Sequence, residues 1–192
     1  MNPGGQRKRR LFVGLALDAA TRATCTNAID ALRRTGLAAR YEDPAKLHVT
    51  LAFLGNVEEA RCDRVAAIAR DIAAGTAPFE VVFDRVGAFP HERKPRIVYV
   101  GAREQGEAFR SLSQRLRARY SELGFIFEDD AVAHVTIART KPPYRALPLI
   151  DVAPASLPVR TLTLFESVSD KQKATSRYLE AAQMPLAFAF FG

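Results

Sequence analysis

Apolar residues recur along this chain at two different spacings, and each spacing predicts one kind of secondary structure. Apolar residues three and four positions apart predict helices over residues 18–37, 58–73 and 104–123. Runs rich in β-branched and large apolar residues predict strands at 11–17, 47–54, 79–83, 96–101, 133–139, 159–165 and 177–182. The mixture of helices and strands along 192 residues predicts an α+β protein.

One strand pattern occurs twice. Residues His48–Thr50 and His134–Thr136 both read His-Val-Thr, and they contain two of the three histidines in the chain. Side chains alternate between the two faces of a strand, so each histidine points to the same side as the threonine two residues later. A predicted strand and helix precede each copy, with 36 residues from Phe12 to His48 and 36 from Val98 to His134.

This repeat predicts a bilobal domain. A single strand–helix–strand unit cannot bury both faces of its strands, whereas two units that face each other can. We therefore expect one domain over residues 11–192, with pseudo-symmetric halves of about 11–95 and 96–192. The histidines should converge in a cleft between the two lobes.

The residue types of the two motifs suit phosphodiester cleavage. Imidazole titrates near neutral pH, so two histidines that face one substrate can act as general base and general acid. A threonine hydroxyl can hydrogen-bond an oxygen that gains negative charge. Arg139 would add a permanent cation, but it lies five residues after His134, an odd offset that points to the opposite face of an ideal strand. Arg139 can serve the site only if the strand ends or bulges near Ala138.

Charge and cysteine content indicate which kind of partner and which cellular location to expect. The chain has 28 Lys and Arg against 21 Asp and Glu, a net charge of +7 that favours an anionic partner such as nucleic acid. Much of the excess lies at residues 7–10, so residues 1–10 are expected to form a flexible basic leader without a role in RNA binding. Cys25 and Cys62 are too few for a disulfide framework, which favours a cytoplasmic location. No apolar run reaches the roughly 20 residues that span a bilayer, so no membrane association is expected.

Two other function classes compete with this interpretation. A metallohydrolase would need ligands at compact spacing, whereas the two histidines are 86 residues apart, so neither a metal nor a cofactor is expected. The third histidine, His91, is expected at the surface. A non-catalytic RNA-binding module stays open as an alternative, because Arg103, Arg110 and Arg117 in the region of the third helix are candidates for an exposed basic surface.

The paired motifs resemble the 2H phosphoesterase superfamily and, within it, the RNA 2′,3′-cyclic phosphodiesterases, which are also called 2′-5′ RNA ligases. Further segments that match this family are RLFV at 10–13, LHVTLAFLG at 47–55, GAFP at 87–90, PRIVYVG at 95–101 and HVTIAR at 134–139. The resemblance implies two lobes with sheets rich in antiparallel strands, outer helices, and metal-independent opening of a terminal 2′,3′-cyclic phosphate to a 2′-phosphate. One departure is Ala133, where the family often has proline.

The resemblance also implies roles for particular residues. His48 and His134 correspond to the acid and base, Thr50 and Thr136 to ligands of the phosphate oxygens, Arg139 to a phosphate-contacting cation, and Phe12 and Tyr178 to residues that contact the substrate. Because a 2′-phosphate product requires the 3′-oxygen to leave, we assign His48 as proton donor and His134 as proton acceptor. The similarity of the two motifs leaves the reverse order open.

The resemblance further implies an RNA partner that ends in a 2′,3′-cyclic phosphate, with tRNA fragments as one source, and a monomeric enzyme. Reversible 2′-5′ ligation, small nucleotide cyclic phosphates and 2′-5′ oligonucleotides stay open as further activities or substrates.

Overall fold

Ten strands and three α-helices make up the part of the chain that the computed structural model describes, residues 7–170 and 175–187. The helices are α1 (Ala19–Arg34), α2 (Glu59–Ala74) and α3 (Glu107–Ser121). The strands are β1 (Lys8–Ala16), β2 (Ala39–Tyr41), β3 (His48–Glu58), β4 (Phe79–Phe83), β5 (Arg85–Phe89), β6 (Ile97–Gly101), β7 (His134–Thr140), β8 (Ala155–Val159), β9 (Thr161–Asp170) and β10 (Thr175–Pro185). The predicted α+β class is confirmed.

Helix boundaries follow local capping chemistry. The side chain of Asp18 accepts a hydrogen bond of 2.9 Å from the backbone N–H of Thr21 and so caps the start of α1. The apolar side chains of α1 at Cys25, Ile29 and Leu32 are all buried, as their helical spacing predicts. Each of the three helices begins and ends within three residues of its predicted bounds.

The strands form two lobes that meet along β3 and β7. The order in the large sheet is β10-β9-β1-β3-β7-β6-β5, β2 pairs with the outer part of β7, and every pair is antiparallel. The first lobe contains β10, β9, β1 and β3, and the second contains β2, β7, β6 and β5. Strands β4 and β8 form a separate two-stranded sheet.

Each lobe combines strands from both halves of the sequence repeat. The late strand β9 pairs with β1, and the early strand β5 pairs with β6. The helices cross over as well, since α1 packs against β7 and α3 packs against β3. Each half of the sequence therefore completes the sheet of the other half, and this exchange ties the two lobes together.

The first lobe has one face on the core and one face on the cleft. Leu11, Val13 and Leu15 of β1 are buried in the main hydrophobic core, and α2 covers the same sheet. The side chains that alternate with them, Arg10 and Phe12, line the cleft between the lobes.

The expected leader ends earlier than residue 10. Strand β1 begins at Lys8, and Lys8, Arg9 and Arg10 pair with residues 56–58 of β3. The Arg9 guanidinium also forms an ion pair of 2.6 Å with Glu166 of β9. The prediction of a flexible segment through residue 10 is therefore wrong for residues 8–10, because backbone pairing and this ion pair hold them in the sheet. Residues 1–6 of the expected leader lie outside the described residues.

Within the described ranges, no helix combines the length and the hydrophobicity required to cross a membrane.

Candidate active site

The pairing of β3 with β7 brings the two His-Val-Thr motifs together. The central valines of the motifs are partners in an antiparallel pair. This register places His48 across from Thr136 and Thr50 across from His134. Side chains directly opposite one another lie about 5 Å apart at Cβ, and diagonal neighbours about 7–8 Å apart. The four polar side chains therefore form one compact group with the histidines on a diagonal.

This group lies in a cleft of about 420 Å³ between the lobes. The sequence predicts seven residues for the site, and all of them line the cleft: Phe12, His48, Thr50, His134, Thr136, Arg139 and Tyr178.

Both imidazoles are held by the same backbone contact. The Nδ1 of His48 lies 2.7 Å from the carbonyl oxygen of Lys46, and the Nδ1 of His134 lies 2.8 Å from that of Val132. A carbonyl oxygen only accepts, so Nδ1 carries the hydrogen in each ring, and Nε2 of the neutral ring keeps a lone pair. The Nε2 of His48 lies 3.1 Å from the Thr50 hydroxyl, which donates to it when the ring is neutral. In both histidines the backbone contact uses Nδ1 and leaves Nε2 on the other side of the ring, where that of His48 meets the Thr50 hydroxyl.

Aromatic side chains fix both rings from the side. The ring centroid of Phe12 lies 4.7 Å from that of His48, and that of Tyr178 lies 5.0 Å from it, edge to face. On the other strand, Phe89 and Tyr99 lie 5.1 Å and 5.4 Å from His134. These contacts restrict the imidazoles to the orientation that the backbone hydrogen bonds select.

Burial lowers the pKa of both histidines from the ordinary imidazole value, because desolvation disfavours the charged ring. The hydrogen bond to the backbone carbonyl opposes this effect in each case. The charges near the two rings differ. Glu42 raises the pKa of His48, whereas Arg139 lowers the pKa of His134. His134 itself also lowers the pKa of His48. The charged side chains therefore distinguish two otherwise similar histidines.

A β-bulge in β7 turns Arg139 toward the cleft. Thr136 pairs with Tyr99 and Ala138 pairs with Val98, so Ile137 is an extra residue in β7. The bulge shifts the alternation of side chains by one position, and Arg139 comes to line the cleft with the motif residues. The sequence analysis required a bulge near Ala138 if Arg139 was to face the site, and this bulge is confirmed.

Strand β3 carries the corresponding bulge. Thr50 pairs with Gly14 and Ala52 pairs with Val13, so Leu51 is the extra residue and Phe53 reaches the cleft. Phe53 follows His48 by five residues, as Arg139 follows His134. The carbonyl oxygens of both bulged residues are satisfied: that of Leu51 accepts from Arg117 Nε at 3.0 Å, and that of Ile137 accepts from the backbone N–H of Glu42 at 2.9 Å.

Arg139 is oriented by a carboxylate. Its Nε donates to Oε1 of Glu42 at 3.2 Å, and Arg40 approaches the same oxygen at 3.8 Å. The Arg139 side chain stays about half exposed, at 48%. Its guanidinium therefore has further N–H groups that can reach a bound anion.

Phe12 does not offer a free ring face. It is 3% exposed, and its ring stacks on Phe165 at 4.9 Å while His48 and Tyr178 cover it from other directions. Phe12 lines the cleft with little exposed area, because neighbouring rings occupy its faces, and its contact with substrate stays a prediction. Tyr178 is 36% exposed and keeps part of its ring open to the cleft.

Comparison with known proteins identifies the family. The family model for the 2′-5′ RNA ligase superfamily matches residues 21–171, most of the chain. The chain belongs to the 2′-5′ RNA ligase superfamily. The resemblance to 2H phosphoesterases that the paired motifs predicted is thereby confirmed.

Two curated relatives in archaea carry the name RNA 2′,3′-cyclic phosphodiesterase. The protein of Methanothermobacter thermautotrophicus is 34% identical over 136 residues, which covers 71% of this chain and 73% of the relative. The protein of Archaeoglobus fulgidus is 33% identical over 132 residues, which covers 69% of this chain and 73% of the relative.

Solved structures show the same fold. The crystal structure of TT0787 of Thermus thermophilus is 27% identical, with a TM-score of 0.81 over 94% of this chain and 99% of the other. Apo E. coli LigT is 22% identical, with a TM-score of 0.75 over 94% of this chain and 99% of its own. The predicted bilobal architecture is confirmed.

At position 133, where the family often has proline, this chain has Ala133, and a hydrogen bond holds the backbone there. Ala133 is 0% exposed, and its backbone N–H donates to Oε1 of Gln105 at 2.5 Å. Proline has no N–H to satisfy and needs no such partner. Gln105 therefore holds the backbone just before His134 through a hydrogen bond that a proline at position 133 would exclude.

Seven of the fourteen residues that line the cleft are missed by the sequence analysis: Arg10, Glu42, Lys46, Phe53, Ser167, Ser169 and Ser176. It places Arg10 in the flexible leader, and it gives Glu42 and Phe53 no role. The equal offsets of Phe53 and Arg139 from their histidines are a signal that points to Phe53. No local pattern identifies Glu42, because its position depends on the pairing of β2 with β7.

The arginines of the RNA-binding alternative are engaged within the protein. Arg103 pairs with Asp84 and Arg110 pairs with Glu107. Arg117 donates to backbone carbonyl oxygens, and burial lowers its pKa. Outside the cleft, His91 is exposed and accepts a hydrogen bond from the backbone N–H of Lys94. In the described part of the chain, no group of three or more His, Cys, Asp or Glu side chains is arranged to hold a metal ion.

Proposed function

We propose that this chain is an RNA 2′,3′-cyclic phosphodiesterase, which hydrolyses a terminal 2′,3′-cyclic phosphate to a 2′-phosphate by two-histidine acid–base catalysis. The observation that carries the proposal is the pair of imidazoles in one cleft, each with Nδ1 bound to backbone and Nε2 kept for proton transfer. Two relatives that are 34% and 33% identical over 136 and 132 aligned residues carry the same activity in their names. The alternative of a non-catalytic RNA-binding module has no support from the family or from the engaged arginines.

In the proposed reaction, water attacks phosphorus and the bond from phosphorus to O3′ breaks. Nε2 of His134 takes a proton from the attacking water, and Nε2–H of His48 gives a proton to O3′ as it leaves. The products are a 2′-phosphate and a 3′-hydroxyl. The two histidines finish with exchanged protonation states, and exchange with solvent restores them.

Charge supports this order of roles. His134 lowers the pKa of His48 only when His134 is charged, so with a neutral His134 the charge of Glu42 favours the protonated form of His48, which is the form that a general acid needs. Arg139 disfavours the protonated form of His134, which suits a general base that must start neutral. We infer from this difference that His48 is the donor and His134 the acceptor.

The remaining residues would act on the phosphate and on the rings. The hydroxyls of Thr50 and Thr136 lie on the same strand faces as the histidines and would donate to the non-bridging phosphate oxygens. The guanidinium of Arg139 would balance their negative charge. Phe12 would act as a positioning residue for His48, and the exposed part of Tyr178 would contact the terminal nucleoside.

We further infer that the substrates are RNA molecules whose ends carry a 2′,3′-cyclic phosphate, tRNA fragments among them. The enzyme would work as a monomer in the cytoplasm. No metal or cofactor would take part in the reaction. Ligation would be the same displacement with a 5′-hydroxyl in place of water, so that a 2′-5′ phosphodiester forms and the 3′-oxygen leaves as a hydroxyl.

The first test is hydrolysis of an RNA that ends in a 2′,3′-cyclic phosphate, in the presence of EDTA, with the position of the product phosphate determined. We expect a 2′-phosphate from the wild type and no turnover from His48→Ala or His134→Ala. His91→Ala removes the exposed histidine outside the cleft and is the matched control with wild-type turnover. Turnover in either motif variant contradicts the paired-histidine mechanism, and loss of activity in EDTA contradicts metal independence.

The second test separates acid from base. A 2′,3′-cyclic phosphate analogue with sulfur in place of O3′ has a leaving group that needs no protonation. We expect this analogue to restore turnover to His48→Ala but not to His134→Ala. Rescue of His134→Ala alone would reverse the two roles.

A further inference from the structure

Arg10 is a second cation of the cleft, separate from Arg139. It lies two residues before Phe12 on the same face of β1, about 7 Å along the strand. Its guanidinium lies over the exposed ring of Phe53, 5.0 Å from the ring centroid. This cation–π contact holds the guanidinium beside the ring. Arg10 is therefore oriented toward the cleft by an aromatic side chain.

The charge of Arg10 is not neutralised by a carboxylate of the described residues. Its neighbour Arg9 forms an ion pair with Glu166, and Arg139 forms one with Glu42. Among the side chains that the structure describes, those of residues 7–169 and 176–187, Arg10 has no acidic partner within ion-pair distance. A cleft cation without a protein counterion is suited to an anionic group of the ligand.

One serine lies beside this cation in the sheet, and two more line the same cleft. The pairing of Leu11 with Glu166 places Ser167 beside Arg10 in the adjacent strand β9. Ser169 and its cross-strand partner Ser176 continue the cleft lining from there. A guanidinium with neighbouring hydroxyl donors is the combination that binds phosphate oxygens. This group lies beyond Phe12 as seen from His48, so it is displaced along the sheet from the catalytic pair.

Building on the proposed function, we propose that Arg10 and the serines beside it form a subsite for the second phosphate of the RNA, the one on the 5′ side of the terminal nucleoside. A terminal cyclic phosphate between His48 and His134 would then be followed by a phosphodiester at Arg10. The preferred substrate is an RNA end, or a nucleotide with a 5′-phosphate, and not a bare nucleoside cyclic phosphate. Arg10 would thus recognise that the substrate continues on the 5′ side, and not which bases it contains.

The test compares adenosine 2′,3′-cyclic phosphate with the same compound carrying a 5′-phosphate, and with the dinucleotide ApA that ends in a 2′,3′-cyclic phosphate. One charge-assisted contact corresponds to a preference of about ten-fold, so kcat/KM of the wild type should be about ten-fold higher for the second and third compounds than for the first. Arg10→Ala should reduce this ratio toward one, and Arg10→Lys should keep part of it. Arg64→Ala removes an equal charge from the exposed face of α2 and should keep the wild-type ratio.

Binding provides a readout that does not depend on hydrolysis. Calorimetric titration with adenosine 2′-phosphate and adenosine 2′,5′-bisphosphate should show about ten-fold tighter binding of the bisphosphate, and Arg10→Ala should remove the difference. For a longer single-stranded RNA, Arg10→Ala should reduce the slope of log affinity against log salt by about 0.7.

Three results would overturn the second-phosphate subsite. They are a wild type that does not distinguish the mono- from the bisphosphate, an Arg10→Ala variant that keeps the full preference, and an Arg64→Ala variant that loses as much. If none of the cyclic phosphates is hydrolysed, the proposed function fails, and the bisphosphate titration still decides whether Arg10 binds the second phosphate.

Discussion

The hydrogen bond from Ala133 to Gln105 offers a sharp test of how the site is positioned. Ala133 directly precedes His134, and its N–H is buried and donates to Oε1 of Gln105 at 2.5 Å. In Gln105→Ala, the N–H loses its acceptor at a position with 0% exposure. In Gln105→Glu, an acceptor oxygen stays in place. Gln105→Ala removes the acceptor oxygen, whereas Gln105→Glu changes the side chain and keeps that oxygen. Comparison of the two variants therefore isolates the effect of losing the acceptor.

The expected magnitude follows from the burial of this donor. A buried N–H without a partner costs about 1–3 kcal/mol of unfolding free energy. For a chain of this length, each kcal/mol lowers Tm by about 2–4 °C. We expect Gln105→Ala to lower Tm by about 2–12 °C. We also expect it to lower kcat by about ten-fold, because the backbone that positions His134 can move. Gln105→Glu should stay near the wild type in both measurements.

Proline at position 133 gives the decisive comparison. Ala133→Pro alone should destabilise the protein, because the ring would occupy the space in which Gln105 meets the N–H. In the Gln105→Ala background, Ala133→Pro removes the backbone N–H that has lost its acceptor, so it should restore both Tm and kcat. Thermal unfolding and single-turnover hydrolysis are measured for the wild type, Gln105→Ala, Ala133→Pro and the double variant, which together form a double-mutant cycle. Additive losses in the double variant would refute the view that Gln105 replaces a proline constraint.

Two further predictions concern the histidine rings. Burial lowers the pKa of both histidines, and the acid must hold its proton, so the alkaline limb of kcat/KM should lie below about pH 6.5. Because Glu42 raises the pKa of His48, Glu42→Gln should move that limb to lower pH, and a shift to higher pH would contradict the assignment. Phe12→Leu removes a ring that contacts His48 and should lower kcat with KM nearly unchanged; a raised KM with normal kcat would instead indicate that Phe12 binds the base.

Much of the secondary structure is predictable because its signals are local. Three helices and the motif strands follow from apolar spacing, which a sequence displays directly. Strands β2, β5 and β8 are exceptions, since the apolar pattern predicts no strand at 39–41, 85–89 or 155–158. In the β5 segment, Gly87 and Pro90 favour a loop. In the structure Gly87 lies in the strand opposite Tyr99, where a Cβ would come within 2.6 Å of the tyrosine hydroxyl oxygen. The glycine thus marks a close packing contact and not a break in the strand.

The sequence by itself determined the chemistry of the site. Strand alternation puts each histidine and its threonine on one face, and the repeat of the motif indicates that two such faces belong together. These features can be recognised without knowledge of the fold because they depend only on residues two positions apart or on comparison of two segments.

Only the tertiary structure decided how the site is completed. The register of β3 against β7 sets the histidines on a diagonal, and the bulges at Leu51 and Ile137 turn Phe53 and Arg139 into the cleft. The exchange of strands between the halves extends the cleft face to Ser167 beside Arg10. The physical reason is that register, bulges and strand exchange are fixed by contacts between residues far apart in sequence, whose combined packing no local pattern records.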